Sequence, residues 1–260
     1  MNDYHMHTRL SDGEGTPDEF VARAASLGLG EIGISDHLVP RAYDEDGYGL
    51  PGQDVASYAR EVRGAADRAE GVRVLVGIEV DLVPGTEAEM ESVLATERFD
   101  YVVGSVHFAD GFAFDVDSML DDPRWHDVDG LYRVYWETIA AAAAWGRLDV
   151  VGHLDLPKQF GRRPAASMRA HEDEALAAIK TAGLAIELNT SGLHSVVGEA
   201  YPGPALLERA ARLGIPLVLG SDAHTAGEVG RDFERAAALA RAAGYVSTLR
   251  LSDGGEEALP

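Results

Sequence analysis

Ile215–His224 reads IPLVLGSDAH, an apolar run that ends at Gly220 and is followed at once by an aspartate and a histidine. A short apolar run bounded by Gly and Ser predicts a strand buried on both faces, as in a parallel sheet. Asp222 and His224 then stand just past its carboxyl end. The same pattern recurs along the chain. Glu31–Ser35 (EIGIS) runs into Asp36 and His37, and Val72–Val80 (VRVLVGIEV) carries Glu79 near its end. Phe99–Val106 (FDYVVGSV) is followed by His107, and Leu148–Gly152 (LDVVG) by His153. Leu184–Leu188 (LAIEL) is a further strand, Asp3–His7 the first of the series and Tyr245–Leu251 a candidate last one. In an extended strand residues i and i+2 share a face, so His5 and His7 present two imidazoles side by side. They are either two ligands of one metal ion or a surface pair near the terminus.

Helical patterns fill the intervals. Thr16 caps PDEFVARAASLG, which has Pro in its first turn, early acids and a closing Gly. Asp54–Ala69, Leu131–Trp145, Ser167–Thr181, Pro204–Leu213 and Asp232–Ala243 read the same way, and the run Ala140–Ala144 suits a tightly packed helix. Strand alternating with helix predicts a parallel sheet with helices outside it. Seven or eight such units in 260 residues, with no linker-like stretch, predict an α/β fold closed as a (β/α) barrel, one domain over residues 1–260. The Asp-rich stretch Ala109–Asp129 is the main irregular segment, and a loop of that length in a compact domain is often functional.

Composition narrows the chemistry. The chain has no cysteine, which removes thiolate ligands and thiol nucleophiles, so a metal must be held by His, Asp and Glu. Its 44 acids against 22 bases give a net charge of −22, which argues against a nucleic-acid surface. A phosphate ester would be repelled by such a field unless bound cations reversed it locally. No stretch has the length and apolarity of a membrane span and no basic-then-apolar leader opens the chain, so a cytoplasmic location is expected.

Six of the nine histidines (His5, His7, His37, His107, His153 and His224) fall at predicted strand ends together with Glu79 and Asp222. In a parallel barrel those ends open on one face, where active sites are built. Imidazole plus carboxylate suits Zn²⁺, Mn²⁺ or Fe²⁺. Eight potential ligands exceed one coordination shell, so two or three divalent ions are expected, with Glu79 able to bridge two. No Ser, Thr or Cys nucleophile paired with a single base is evident. His171 reads as a surface residue, His126 as a loop residue or a site residue, and His194 as a group facing the pocket without binding metal.

The ordered set YHMHT, SDH, GIEVD, GSVHF, GHLDL, ELNTSGL and LGSDAH resembles the polymerase-and-histidinol-phosphatase (PHP) family. GSVHFADG, GHLDLPKQFGRRP, NTSGL, VGEAYPGP and LVLGSDAH are similar to its histidinol-phosphate phosphatase branch. The resemblance implies a distorted (β/α)7 barrel with a trinuclear site. Carried over by position, one ion takes His5, His7, Glu79 and Asp222, and a second takes Glu79, His107 and His153. The third takes His37 and His224 with Asp12, where many members have histidine. It implies hydrolysis of L-histidinol phosphate to L-histidinol and phosphate, a step of histidine biosynthesis, by a hydroxide bridging two metals. Asp222, His224 and His37 are the catalytic candidates, the leaving-group proton coming from a metal-bound water or a group coupled to Asp222 or His224. Relatives carry more basic groups where this chain has Gln159 and His194. The candidates for holding phosphate are therefore Ser105, Lys158, Arg162, Arg163 and His194, although Ser105 also reads as a small strand-end residue and the two arginines as solvated loop charges. Asp110, Asp115 and Asp117 are candidates for attracting the cationic end of the substrate. The rival readings are a phosphoesterase for a nucleotide or sugar phosphate, and a metal-binding scaffold without turnover, like the PHP modules attached to polymerases.

Overall fold

The predicted strands assemble around one parallel sheet in a computed structural model that describes residues 1–45 and 47–260. The strands are β1 (Glu31–Ile34), β2 (His37–Leu38), β3 (Arg73–Val76), β4 (Glu79–Asp81), β5 (Val103–Ser105), β6 (Phe108–Ala109), β7 (Phe112–Ala113), β8 (Val150–Val151), β9 (Ala185–Asn189), β10 (Leu217–Gly220), β11 (Ser247–Leu249) and β12 (Glu256–Ala258). The helices are α1 (Pro17–Ser26), α2 (Val55–Arg68), α3 (Glu87–Leu94), α4 (Val128–Ala143), α5 (Arg169–Ala182), α6 (Pro204–Arg212) and α7 (Phe233–Ala243). Six strands form the central sheet in the order β10-β9-β8-β5-β4-β2, every neighbouring pair parallel. Closure comes from the N-terminal segment, which bridges β1 through Asp3 and Ile32 on one side and meets Ala223, just past β10, through Met6 on the other. The result is a distorted barrel of a single domain.

Several expectations change in detail. Asp3–His7 is held by isolated bridges and not by a continuous ladder. Glu31–Ser35 and Val72–Val80 do not run as unbroken ladders: β1 pairs with β3, and the pairing resumes one step on between β2 and β4 with His37 opposite Glu79. At the step the Tyr58 hydroxyl sits 2.7 Å from both the Ile34 and Gly77 carbonyls, and the Tyr101 ring fills the space a Cβ would need at Gly33 or Gly77. Only glycine permits that close approach. Tyr245–Leu251 is not a barrel strand, because β11 pairs antiparallel with β12 away from the central sheet. The stretch Ala109–Asp129 has more structure than its composition suggests. β6 and β7 form a hairpin across Asp110 and Gly111, both at positive φ, as two-residue hairpin turns require. Phe112, Phe114 and Trp125 are buried beside Tyr135 and Trp136 of α4, which anchors this segment to the core. Among the described residues, no helix is long and apolar enough to cross a membrane.

Candidate metal centre

The barrel's carboxyl ends bring the predicted ligands together from segments far apart in sequence. Glu79, on β4 and fully buried, is the hub. Its Oε1 lies 3.2 Å from His5 Nε2, 3.2 Å from His153 Nε2 and 4.0 Å from His107 Nε2. Its Oε2 lies 2.8 Å from His37 Nδ1 and 3.5 Å from His7 Nε2. Asp222 Oδ1 is 3.2 Å from His7 Nε2 and 3.7 Å from His5 Nε2. At the more exposed rim, Asp12 Oδ2 is 3.2 Å from His224 Nε2 and 3.7 Å from His37 Nε2. The donors form overlapping groups close enough to share an ion: His5, His7 and Glu79; Glu79, His107 and His153; and His7, Asp12, His37 and His224.

The donor atoms are of the kind that a metal site uses. Both nitrogens of His7, together with His5 Nε2, His37 Nδ1 and Glu79 Oε2, are buried without a hydrogen-bond partner. Leaving a buried polar atom unpaired costs about 1–3 kcal/mol, so a cluster of them calls for something that pairs with all. His107 Nε2 and His153 Nε2 face each other at 3.2 Å, which requires a proton or a cation between them. Burial would push Glu79 up, but the neighbouring imidazoles, His5 and His37 first among them, hold it well below the usual carboxylate range. Burial, aided by His37 and His224, lowers His7 to about 3, which keeps its imidazole in the neutral, ligating form. These residues fit divalent ions with nitrogen and oxygen ligands.

Above this floor opens a cavity of about 550 Å³, walled by Tyr43, Tyr48, Phe108, Asp115, Gln159, Ser191, His194 and Tyr201 among others. His194 therefore reaches it, its Nε2 held 2.6 Å from Asp232. The other four residues expected to hold phosphate do not line it. Ser105 Oγ is buried against the backbone of Gly152, between β5 and β8. Lys158 is 1% exposed, and its ammonium is held by Asp155 at 2.9 Å, the Ala200 carbonyl at 2.8 Å and Glu199 at 3.5 Å. Arg162 donates to the Leu120 carbonyl and lies over the Trp125 ring, while Arg163 pairs with Glu199. Each cation is already engaged elsewhere, so no Lys or Arg is among the described residues lining the cavity. Of the acidic-loop candidates Asp115 lines it, whereas Asp110 and Asp117 are exposed outside it. His126 is exposed on the same segment, and His171 sits on α5, away from the cavity.

Sequence reading missed the groups behind the ligands. Glu187 on β9 holds His5 Nδ1 at 2.8 Å and accepts from the His153 and Asn189 nitrogens. Asn189 Nδ2 and Ser191 Oγ each lie 3.2 Å from Asp222 Oδ2. Asp81, two residues from Glu79, accepts from His107 Nδ1. Glu187 interrupts an otherwise apolar run, and Asp81 shares its strand face with Glu79, and those were the available signals.

A parallel barrel whose strand ends gather imidazoles and carboxylates beneath an open cavity defines a metal-dependent protein of the hydrolytic barrel class. The PHP domain model matches residues 3–191, and the PHP-associated model matches residues 207–233. The chain belongs to the PHP family. It is 40% identical over 89% of its length to a Deinococcus radiodurans protein named "probable histidinol-phosphatase", covering 89% of that protein. It is 27% identical over 89% of its length to the histidinol-phosphatase of Bacillus subtilis, covering 96% of it. Its fold matches that of the Lactococcus lactis histidinol phosphate phosphatase, a structure holding zinc, L-histidinol and phosphate, with a TM-score of 0.79 at 23% identity over 98% of both chains.

Proposed function

We propose that this chain hydrolyses L-histidinol phosphate, with water, to L-histidinol and inorganic phosphate at a centre of three divalent ions, zinc, manganese or iron. The observation that carries the reading is the convergence of nine side chains of metal-ligand type, seven of them lining one cavity and His5 and His7 packed behind against Glu79 and Asp222. The names of the Deinococcus and Bacillus relatives, and the ligands of the Lactococcus structure, support this choice of ester.

His5, His7, Glu79 and Asp222 would hold one ion, Glu79, His107 and His153 a second, and Asp12, His37 and His224 a third. Bound cations supply charge neutralisation for the phosphoryl oxygens and lower the pKa of the attacking water. The remaining work belongs to the chain. Glu79 keeps the imidazoles converged, and His37 spans Glu79 and Asp12. Asn189 and Ser191 fix Asp222 at the cavity wall, with His224 Nδ1 3.1 Å from the Asp222 carbonyl. At that wall Asp222 and His224 would direct to the departing alkoxide the proton it must gain, drawn from the attacking water. With no guanidinium or ammonium among the described residues of the wall, His194 and Gln159 would be the protein's own contacts for the phosphate.

The test is phosphate release from L-histidinol phosphate beside nucleotide and sugar phosphates, on the protein as purified, after chelation and after metal is restored. The proposal requires a preference for histidinol phosphate that disappears with chelation and returns with metal. Activity confined to the other esters would reassign the substrate, and a metal-loaded protein without turnover would make the chain a scaffold.

Asp115 lines the same cavity as Tyr43 and Phe108, whose rings meet at 5.2 Å. A carboxylate and aromatic faces in one cavity suit the ammonium and imidazole of histidinol. A charge-assisted hydrogen bond contributes about 1.5 kcal/mol, or roughly tenfold in binding. Asp115→Asn should raise KM for histidinol phosphate about tenfold and leave KM for glycerol phosphate unchanged. Equal effects on both esters would remove Asp115 from substrate recognition.

A further inference from the structure

Two buried carboxylates outside the ligand set each hold the far nitrogen of a ligand imidazole, and they are anchored differently. Glu187, which holds His5, is fixed by the His153 backbone N–H and the Asn189 amide, both part of the barrel interior. Asp81 is 1% exposed; one of its oxygens accepts from His107 Nδ1 and the other from the Tyr48 hydroxyl. Tyr48 belongs to the connection between β2 and α2, lines the substrate cavity, and sets its ring edge-on to His37 at 5.1 Å. Asp81 also stands close enough to His37 and His107 to share an ion, but both of its oxygens already have hydrogen-bond partners.

We infer that Asp81 and Tyr48 are positioning residues for the ion held by Glu79, His107 and His153. Asp81 meets His107 at Nδ1, so a hydrogen bond there leaves Nε2, which faces His153 and Glu79, as the nitrogen free to ligate. A hydrogen bond of this kind fixes the tautomer and ring angle of a ligating imidazole, and its loss typically costs 10–100-fold in metal affinity. The Tyr48 hydroxyl in turn fixes the angle of the Asp81 carboxylate. The cavity wall and this ligand are therefore joined by one short chain of hydrogen bonds through Tyr48 and Asp81, whereas Glu187 reaches the wall through Asn189 and Ser191. The inference rests on the metal-centre reading above, and specifically on His107 as a ligand.

The test is metal content after dialysis against graded chelator, with cobalt(II) titrations followed by absorbance and thermal melting of the same samples. Asp81→Ala should weaken one of the bound ions about 10–100-fold and leave the others in place. Asp81→Asn, which still offers an acceptor to His107 Nδ1, should recover part of that loss. Tyr48→Phe should show a smaller loss at the same ion, with a changed cobalt spectrum and an unchanged melting profile of the metal-free protein. Wild-type metal affinity in Asp81→Asn and Tyr48→Phe, or a fall in melting temperature without any change in metal retention, would overturn the inference. If the wild-type chain holds no metal at all, the metal-centre reading fails first and takes the inference with it.

Discussion

Glu79→Gln should lower kcat/KM for phosphate release by about a thousandfold or more, a loss of roughly 4 kcal/mol in transition-state stabilisation. The protein should also purify with fewer metal ions than wild type. The substitution keeps the shape of a side chain that is fully buried, so its effect is chemical. Both carboxylate oxygens face imidazole nitrogens: His5, His153 and His107 on one side, His37 and His7 on the other. An amide replaces one acceptor oxygen with a donor and removes the anion shared by two of the proposed ion sites. Metal analysis and phosphate release on the same sample check the prediction, with His171→Ala on α5 as a control. Full metal content and activity in Glu79→Gln would sink the reading of this centre.

The convergence of the candidate ligands was legible in the sequence, and the lining of the cavity was not, for a physical reason. In a parallel barrel each strand's carboxyl end lies on the same face, so a residue just past an apolar run has a known address before any coordinates exist. His107 after β5, His153 after β8, and Asp222 and His224 after β10 all follow that rule. His5 and His7 follow it even though their segment is held by bridges and not by a full ladder. Asp81 was open to the same logic, being two residues from Glu79 on the same strand. Loop side chains have no such address. Arg162 lies close to the site along the chain yet turns onto Trp125, and no periodicity encodes that turn. Helix α3 was missed for a related reason: only Met90 and Leu94 are buried in it, too few to mark a face.

Lys158 shows most clearly how a loop cation can look functional and serve the fold. Asp155 adopts a left-handed conformation, φ 66°, and starts a short turn from Leu156 to Lys158 that drives the lysine inward. Its ammonium then satisfies the Asp155 carboxylate and the Ala200 carbonyl and lies 5.2 Å from the centre of the Tyr201 ring. Asp155 also accepts from the backbone N–H of Gly203, so the pair ties the β8 exit to the segment leading into α6. Lys158→Met leaves that carboxylate buried without its cation, a change that typically costs 3–5 kcal/mol. Burial already pushes Asp155 up to about 6, against the opposing charge of Lys158, and losing the lysine moves it higher. Because the folded value lies above the unfolded one, the protonated acid is favoured in the fold. The stability gap between variant and wild type should therefore be widest at high pH, narrow as the pH falls through the variant's raised value to about 6, and level off below it. Urea unfolding at both ends of that range reads the gap, and KM for histidinol phosphate, measured on folded protein, should stay within about twofold of wild type, or 0.4 kcal/mol. A large rise in KM with little loss of stability would return Lys158 to the phosphate site and would mean that it leaves its buried pair when substrate binds.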